Sequence, residues 1–210
     1  MQILNPAVRR DLEAGRKLCL NLGSGPKSLP GFYSVDRIVL PNVDIVANLE
    51  EPLSELPDNC VQAIYSRHTL EHVARLLELL GELHRIIQPE GVLKLIVPHF
   101  SNPYGYSDPT HVRFFGLYSF FYLAEVQDQP RHKVPNFYLP SRFRIDEIRF
   151  NLMRTSVLDK VIRAVLQPLV NRNVEWQDWY ERRLCRICPA DDMHFLLRPV
   201  KPTPAATRCA

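Results

Sequence analysis

Apolar and polar positions along this chain fall into short blocks that read as strands separated by turns, with one strongly amphipathic helix among them. Lys17-Leu18-Cys19-Leu20-Asn21-Leu22 is an apolar run that ends in the turn Gly23-Ser24-Gly25. A second run, Phe32 to Val35, ends in Asp36, and a third is Val43-Asp44-Ile45-Val46-Ala47-Asn48-Leu49. Pro57-Asp58-Asn59 is a turn signal, and it precedes a fourth run, Val61-Gln62-Ala63-Ile64-Tyr65-Ser66. Leu76, Leu77, Leu79, Leu80, Leu83, Ile86 and Ile87 then recur at helical spacing. Gln88-Pro89-Glu90-Gly91 predicts the end of that helix, and residues 92–98 predict a fifth strand. Strands and helices alternating at this length predict an α/β fold around a parallel sheet with right-handed crossovers.

The remaining chain predicts a lid and the closing strands. Residues 118–126 have helical apolar spacing, broken by Gln129-Pro130-Arg131-His132-Lys133-Val134-Pro135. Arg142 to Leu152 alternates imperfectly and is read as strand six. Val157 to Val170 is an amphipathic helix with Lys160 and Arg163 on its polar side, expected to pack on the sheet rather than lie on a membrane. Residues 193–200 predict a last strand, and 201–210 a disordered tail. The expected organisation is one domain over 1–200, with an acceptor-site loop and lid at 100–140.

Composition narrows the function classes. A chain of 210 residues with 46% hydrophobic content can bury a full core. No apolar run reaches the length of a membrane span and no signal-peptide core is visible, so a cytoplasmic location without an integral membrane segment is expected. A formal charge of +3 with scattered basic residues offers no stripe that would track a phosphate backbone, which argues against a nucleic-acid partner. The five cysteines are poorly spaced for disulfides, and reduced thiols are expected. Cys185-Arg186-Ile187-Cys188 has the spacing of half a zinc site, but His194 is the sole further candidate ligand nearby. The pair is read as small residues packing beneath the last strand.

Candidate chemistry starts at the glycines. A Gly-x-Gly turn after a strand, followed by a strand ending in an acid, suits a nucleoside: the backbone approaches the ligand and the acid accepts from two ribose hydroxyls. Only Pro26 to Gly31 separates that turn from the second strand, and this segment contains two prolines. No crossover helix fits there. A dinucleotide would lose the helix N-terminus that holds its pyrophosphate, whereas S-adenosyl-L-methionine (SAM) carries no phosphate. Ser28 also stands where a dinucleotide fingerprint has its third glycine.

Four segments in order resemble the class I SAM-dependent methyltransferases: the Gly23/Gly25 loop, Asp36, Asn48-Leu49, and His68-Thr69-Leu70-Glu71-His72 followed by Leu83-His84-Arg85-Ile86-Ile87-Gln88-Pro89-Glu90-Gly91. The chain looks closest to a small bacterial branch with a shortened first motif, methyltransferase type 11-like. The resemblance implies a Rossmann-like sheet, mostly parallel with an antiparallel seventh strand, and here without the first crossover helix. It places Asn21, Leu22, Gly23, Ser24 and Gly25 against the methionine part of SAM and Asp36 on the ribose. Asn48 and the Leu49 N–H bracket the adenine, and Ser66 and His68 line the mouth. Asn48 stands where the family usually has Asp, and Asn21 replaces an acid that often precedes the glycines. The first weakens acceptance from the adenine amino group, the second alters the geometry around the SAM amino group, and neither excludes binding.

The segment His99 to Phe115, beyond the fifth strand, concentrates aromatic, turn and ionisable residues where this fold binds its second substrate. Methyl transfer to a hydroxyl needs alignment and loss of a proton, so His111 with Asp108 is the leading base pair and His99 the second base. An alternative makes His99, Asp108 and His111 metal ligands, completed by His68 or His72; the plainer reading of those two is one SAM contact and one buried histidine. The expected function is methylation of a hydroxyl or amine on a small polar acceptor, a sugar or glycan precursor. The alternative is a non-catalytic SAM-binding partner subunit.

Overall fold

A computed structural model describes residues 1–201 of the chain. It begins with two elements that the sequence pattern did not signal. These are β1 (Gln2–Ile3) and α1 (Pro6–Glu13), the latter started by the Asn5 side chain accepting from the Ala7 N–H and by a proline in the first turn. Then come β2 (Leu18–Leu22), β3 (Tyr33–Asp36), β4 (Ile45–Val46), β5 (Val61–Arg67), α2 (Leu76–Ile86) and β6 (Ile87–Pro98). β7 (Arg142–Leu152), α3 (Val157–Val170), α4 (Val174–Arg183) and β8 (Ala190–Val200) complete the order. Residues 202–210, nearly all of the expected tail and including Cys209, lie outside the described residues.

All eight strands join one sheet in the order β1-β4-β3-β2-β5-β6-β8-β7. β4, β3, β2, β5 and β6 run parallel. β8 is antiparallel to β6 and to β7, between which it is inserted, as the expected antiparallel last strand requires. β1 adds a second antiparallel pairing at the far edge. The links β2–β3, β3–β4 and β4–β5 are turns, so the missing first crossover helix is found and two further links also lack helices. α2 is the one helical crossover within the parallel stretch. It buries Leu76, Leu79, Leu80, Leu83 and Ile86, each contributing about 1.5–3 kcal/mol of apolar burial. Glu50 fixes its start by accepting from the Ala74 and Arg75 N–H groups at 2.7 and 2.8 Å.

Three expectations about elements are corrected. The third strand shrinks to Ile45–Val46 because Asp44 turns its carboxylate onto the Ser34 N–H and the Asn5 amide, at 2.7 and 2.6 Å. The Gln88-Pro89-Glu90-Gly91 segment is part of β6, as a bulge across which the β5 register jumps between Val61 and Ala63. A Cβ on Gly91 would stand 2.9 Å from the Gln88 carbonyl, so only glycine passes there. Residues 118–126 form no α-helix but turns with a short 3-10 stretch at Phe121–Leu123. Phe120, Phe121, Leu123 and Ala124 are buried all the same, with Val126 exposed, while Gln129 and Asn136 donate to the Phe121 and Ala124 carbonyls and replace helical bonds.

Candidate functional site

At the carboxyl ends of β2, β3 and β5 the chain encloses a cavity of about 390 Å³, within the range that holds a nucleoside-sized ligand. Gly23 and Gly25 form one wall with φ of +63° and +54°, left-handed values that favour glycine. A Cβ on Gly23 would stand 2.2 Å from Thr69 Oγ1, so the Gly23 backbone and the Thr69 side chain share space that no larger residue leaves. Asp36, at the end of β3, accepts from the Gly25 N–H at 2.8 Å through Oδ2 and from the Ile38 N–H at 3.1 Å through Oδ1. Each carboxylate oxygen keeps a further lone pair, enough for two ribose hydroxyls. Asn48 caps its own turn, its Oδ1 accepting from the Glu50 N–H at 3.1 Å and its amide donating to Glu51 at 3.2 Å.

The expected cofactor residues divide into two layers. Gly23, Gly25, Asp36, Asn48, Leu49 and His68 line the cavity. Asn21, Leu22 and Ser66 are buried and absent from its lining, with Ser66 Oγ left without a hydrogen-bond partner; Ser24 is half-buried at its edge. Sequence reasoning missed Arg37, Glu50, Thr69, His72, Val73 and Thr110 as lining residues. Thr69, His72 and Val73 belong to the segment after β5 that the resemblance already marked; Thr110 reaches the cavity only by folding of a distant loop. His68 adopts φ +51°, a costly conformation for a residue with a Cβ. Its ring stands between Glu71, 3.5 Å from Nδ1, and Asp192, 3.9 Å from Nε2.

The acceptor-side histidines separate in space. His99 is buried, with Nδ1 2.6 Å from Ser101 Oγ and Nε2 3.1 Å from Glu181, and its ring packs on Phe100 and Phe150. Like His111 and Asp108, it is not among the residues that line the cavity. His111 instead meets His72 edge to face, ring centroids 4.8 Å apart. The Gly105 carbonyl, 2.9 Å from His111 Nδ1, accepts only, so Nδ1 carries the proton and Nε2 the lone pair of the neutral ring. Asp108 lies 3.6 Å from that Nε2, beside the proton-accepting nitrogen rather than behind the ring. Hydrogen bonds from the Thr110 hydroxyl at 2.6 Å and its backbone N–H at 2.8 Å hold the Asp108 carboxyl below the usual range. The Thr110 hydroxyl also lies 2.9 Å from His72 Nδ1, with the Thr110 carbonyl 3.3 Å away. His72 therefore carries its proton on Nδ1 as well, and Asp108 is tied to both rings.

Cys185 is buried, and its thiol donates to the Glu181 carbonyl at 3.0 Å; burial pushes its pKa up. Cys188 offers its carbonyl to the Tyr180 hydroxyl at 2.7 Å. His194 is engaged with Asp192 at 3.0 Å. These contacts tie the Cys185/Cys188 pair to α4.

Strand order and the pocket at the carboxyl ends of the strands are those of the class I methyltransferase fold. Residues 32–95 of the chain match the methyltransferase domain family, a span from β3 into β6 that contains Asp36, Asn48 and His68. No curated protein sequence matches the chain. Among solved structures, the fold is similar to a candidate methyltransferase, BH2331 of Bacillus halodurans C-125. Identity there is 13%, with 95% of this chain and 100% of that one covered and a TM-score of 0.53. The YcgJ protein of Bacillus is similar at 12% identity, covering 94% and 99%, with a TM-score of 0.53. The complex of the Trm112 methyltransferase activator from Haloferax volcanii with a candidate methyltransferase gives 10% identity, 89% and 83% coverage and a TM-score of 0.53. At these identities the structures speak for the fold.

SAM is the cofactor that this class uses, and the residues present fit it. Gly23 and Gly25 leave a cradle that side chains would fill, Asp36 offers paired acceptors, and among the described residues no α-helix directly follows the Gly23/Gly25 turn to hold a pyrophosphate. Among the described residues no helix is long and apolar enough to cross a membrane.

Proposed function

We propose that the chain transfers a methyl group from SAM to a hydroxyl or amine of a small polar acceptor, a sugar or glycan precursor being the favoured class. The observation that carries this reading is one cavity with two chemically distinct ends. Asp36 and the glycines form a nucleoside end; His68, His72 and Thr110 form an end rich in proton-accepting groups. Bound SAM supplies a methyl on a sulfonium sulfur, which keeps the C–S electron pair as the acceptor atom forms its new bond to carbon. Gly23 and Gly25 orient the methionine part, Asp36 holds the ribose, and Asn48 with the Leu49 N–H reads the adenine.

We assign removal of the acceptor proton to His111 with Asp108, and add His72 to them. Both imidazoles have Nδ1 occupied by donation, so both present Nε2 as the base. The lowered Asp108 carboxyl stays charged at neutral pH and stabilises whichever ring takes the proton. Exposed Tyr104, and the outer faces of Tyr106 and Phe114, which stack on each other with ring centroids 4.5 Å apart, offer surfaces on which a sugar ring stacks. The single sheet that runs from β1 to β8 supports one domain over 1–200.

Calorimetric titration with SAM tests the cofactor end. Micromolar binding is expected, weakened more than about 100-fold by Asp36→Ala, which removes two charge-assisted hydrogen bonds of about 1.5–3 kcal/mol each. Absence of SAM binding in the wild-type protein would overturn the reading. Transfer from labelled SAM to a panel of sugars and amines, lost in His111→Ala, tests the acceptor end.

A further inference from the structure

Glu71 is almost fully buried, and its Oε2 has no hydrogen-bond partner. Its Oε1 lies 3.5 Å from His68 Nδ1, so one carboxylate oxygen is used and the other is spare. Burying an unpaired carboxylate oxygen costs stability unless a cation or donor completes it. Beside it stand His72 and His111, and one ligand atom from each of the three residues lies within 4.8 Å of the others. Both rings donate from Nδ1, His111 to the Gly105 carbonyl and His72 to the Thr110 oxygens. Fixing one nitrogen by donation to a carbonyl leaves the other as a basic lone pair, the arrangement that metal-bound histidines show.

The cluster is held together from outside. The Val112 N–H donates to the Glu71 carbonyl at 2.9 Å, and Arg113 donates from Nε to the Val73 carbonyl at 2.8 Å and from its outer nitrogen to the Ala74 carbonyl. These bonds clip the loop carrying His111 onto the turn carrying Glu71 and His72. Ligand atoms around a cation at about 2.1 Å lie about 3–3.5 Å apart, so the three groups need to close by an ångström or so.

We propose that Glu71, His72 and His111 bind one divalent cation of the imidazole-preferring kind, such as zinc or cobalt, beside the cofactor cavity. Two imidazoles and one carboxylate leave further coordination positions open, and His72 lines the cavity through which an acceptor would reach them. The inference rests on the methyltransferase reading for its catalytic consequence only. With the cation in place, His72 and His111 act as ligands, and the cation polarises an acceptor hydroxyl. The hydroxyl proton then leaves to water. Such a site narrows the acceptor from hydroxyl or amine to hydroxyl.

The test is calorimetric titration of chelator-stripped protein with zinc chloride, repeated with cobalt to record its absorption. One equivalent is expected to bind at micromolar or tighter affinity, with weak visible cobalt bands and no thiolate charge-transfer band from Cys185 or Cys188. Glu71→Gln and His111→Gln are each expected to weaken binding at least tenfold, and His194→Gln to leave it unchanged. If the buried Glu71→Gln variant does not fold, the exposed His72→Gln carries the same expectation. Absence of binding, or equal binding in these variants, overturns the site while leaving SAM binding and the methyltransferase reading standing. Conversely, Asp36→Ala is expected to lose SAM and keep the metal, so failure of either reading is read separately.

Discussion

The two halves of the sheet are built on opposite plans. On the nucleoside side, β2, β3 and β4 are 5, 4 and 2 residues long and are joined by turns. On the other side β6, β8 and β7 run 12, 11 and 11 residues, paired along their lengths and backed by α3 and α4. Nucleoside recognition uses strand ends and turn backbone, which short strands supply as well as long ones. Cooperative stability needs long ladders and buried aromatic rings, and those are collected in the half that holds no cofactor group. The comparison teaches that binding and stability are carried by separable parts of one sheet.

Three experiments strain that separation. Phe195 lies on β8 between Leu95 and Ile148 and meets Phe120 edge-on with ring centroids 4.7 Å apart. Phe195→Ala is expected to cost about 3–5 kcal/mol in denaturant unfolding, with SAM affinity of the folded fraction little changed. Equal losses in both would merge the halves. Gly23→Ala sharpens the opposite case: the left-handed backbone costs about 1–2 kcal/mol with a Cβ, and the added methyl overlaps Thr69. SAM affinity should fall about tenfold or more, while the unfolding midpoint moves much less than for Phe195→Ala.

The smallest effect is expected where the halves meet, at Asp192. Burial alone would push its carboxyl up, but the His194 hydrogen bond and charge, with Asn151 and His68, together outweigh burial and hold it below the usual range. A carboxylate with a depressed folded pKa stabilises fully above its unfolded value, about 3.9, and that stabilisation is lost as pH falls through the folded value. Acid unfolding of the wild-type protein should therefore steepen below about pH 4, and Asp192→Asn should flatten that part of the curve. An unchanged curve would remove Asp192 from the link between β8 and His68.

Legibility in the sequence followed how local each signal is. The Gly23/Gly25 turn, Asp36 and the short link between them are adjacent in sequence and in space, so periodicity and turn chemistry were enough to place them. Residues 118–126 misled because a core-facing irregular segment and a helix show similar apolar spacing when side chains such as Gln129 and Asn136 satisfy the carbonyls. β1 pairs only through a two-residue ladder, too short for any pattern. His99 and His111 looked alike in one loop. What separates them is Glu181, contributed by α4 from far along the chain, which draws His99 inward. Glu71 gave no sequence signal beyond standing next to His72, since its meaning comes from burial.

The insertion of β8 between β6 and β7 also sets a sequence of events during synthesis. β7 leaves the ribosome with no strand to pair with, because its sole neighbour in the sheet is the strand made after α3 and α4. Until β8 arrives, the long edges of β6 and β7 stay open and offer templates for pairing with other nascent chains. The stable half of the molecule is thus the last to close, and the nucleoside half is complete before the scaffold that steadies it.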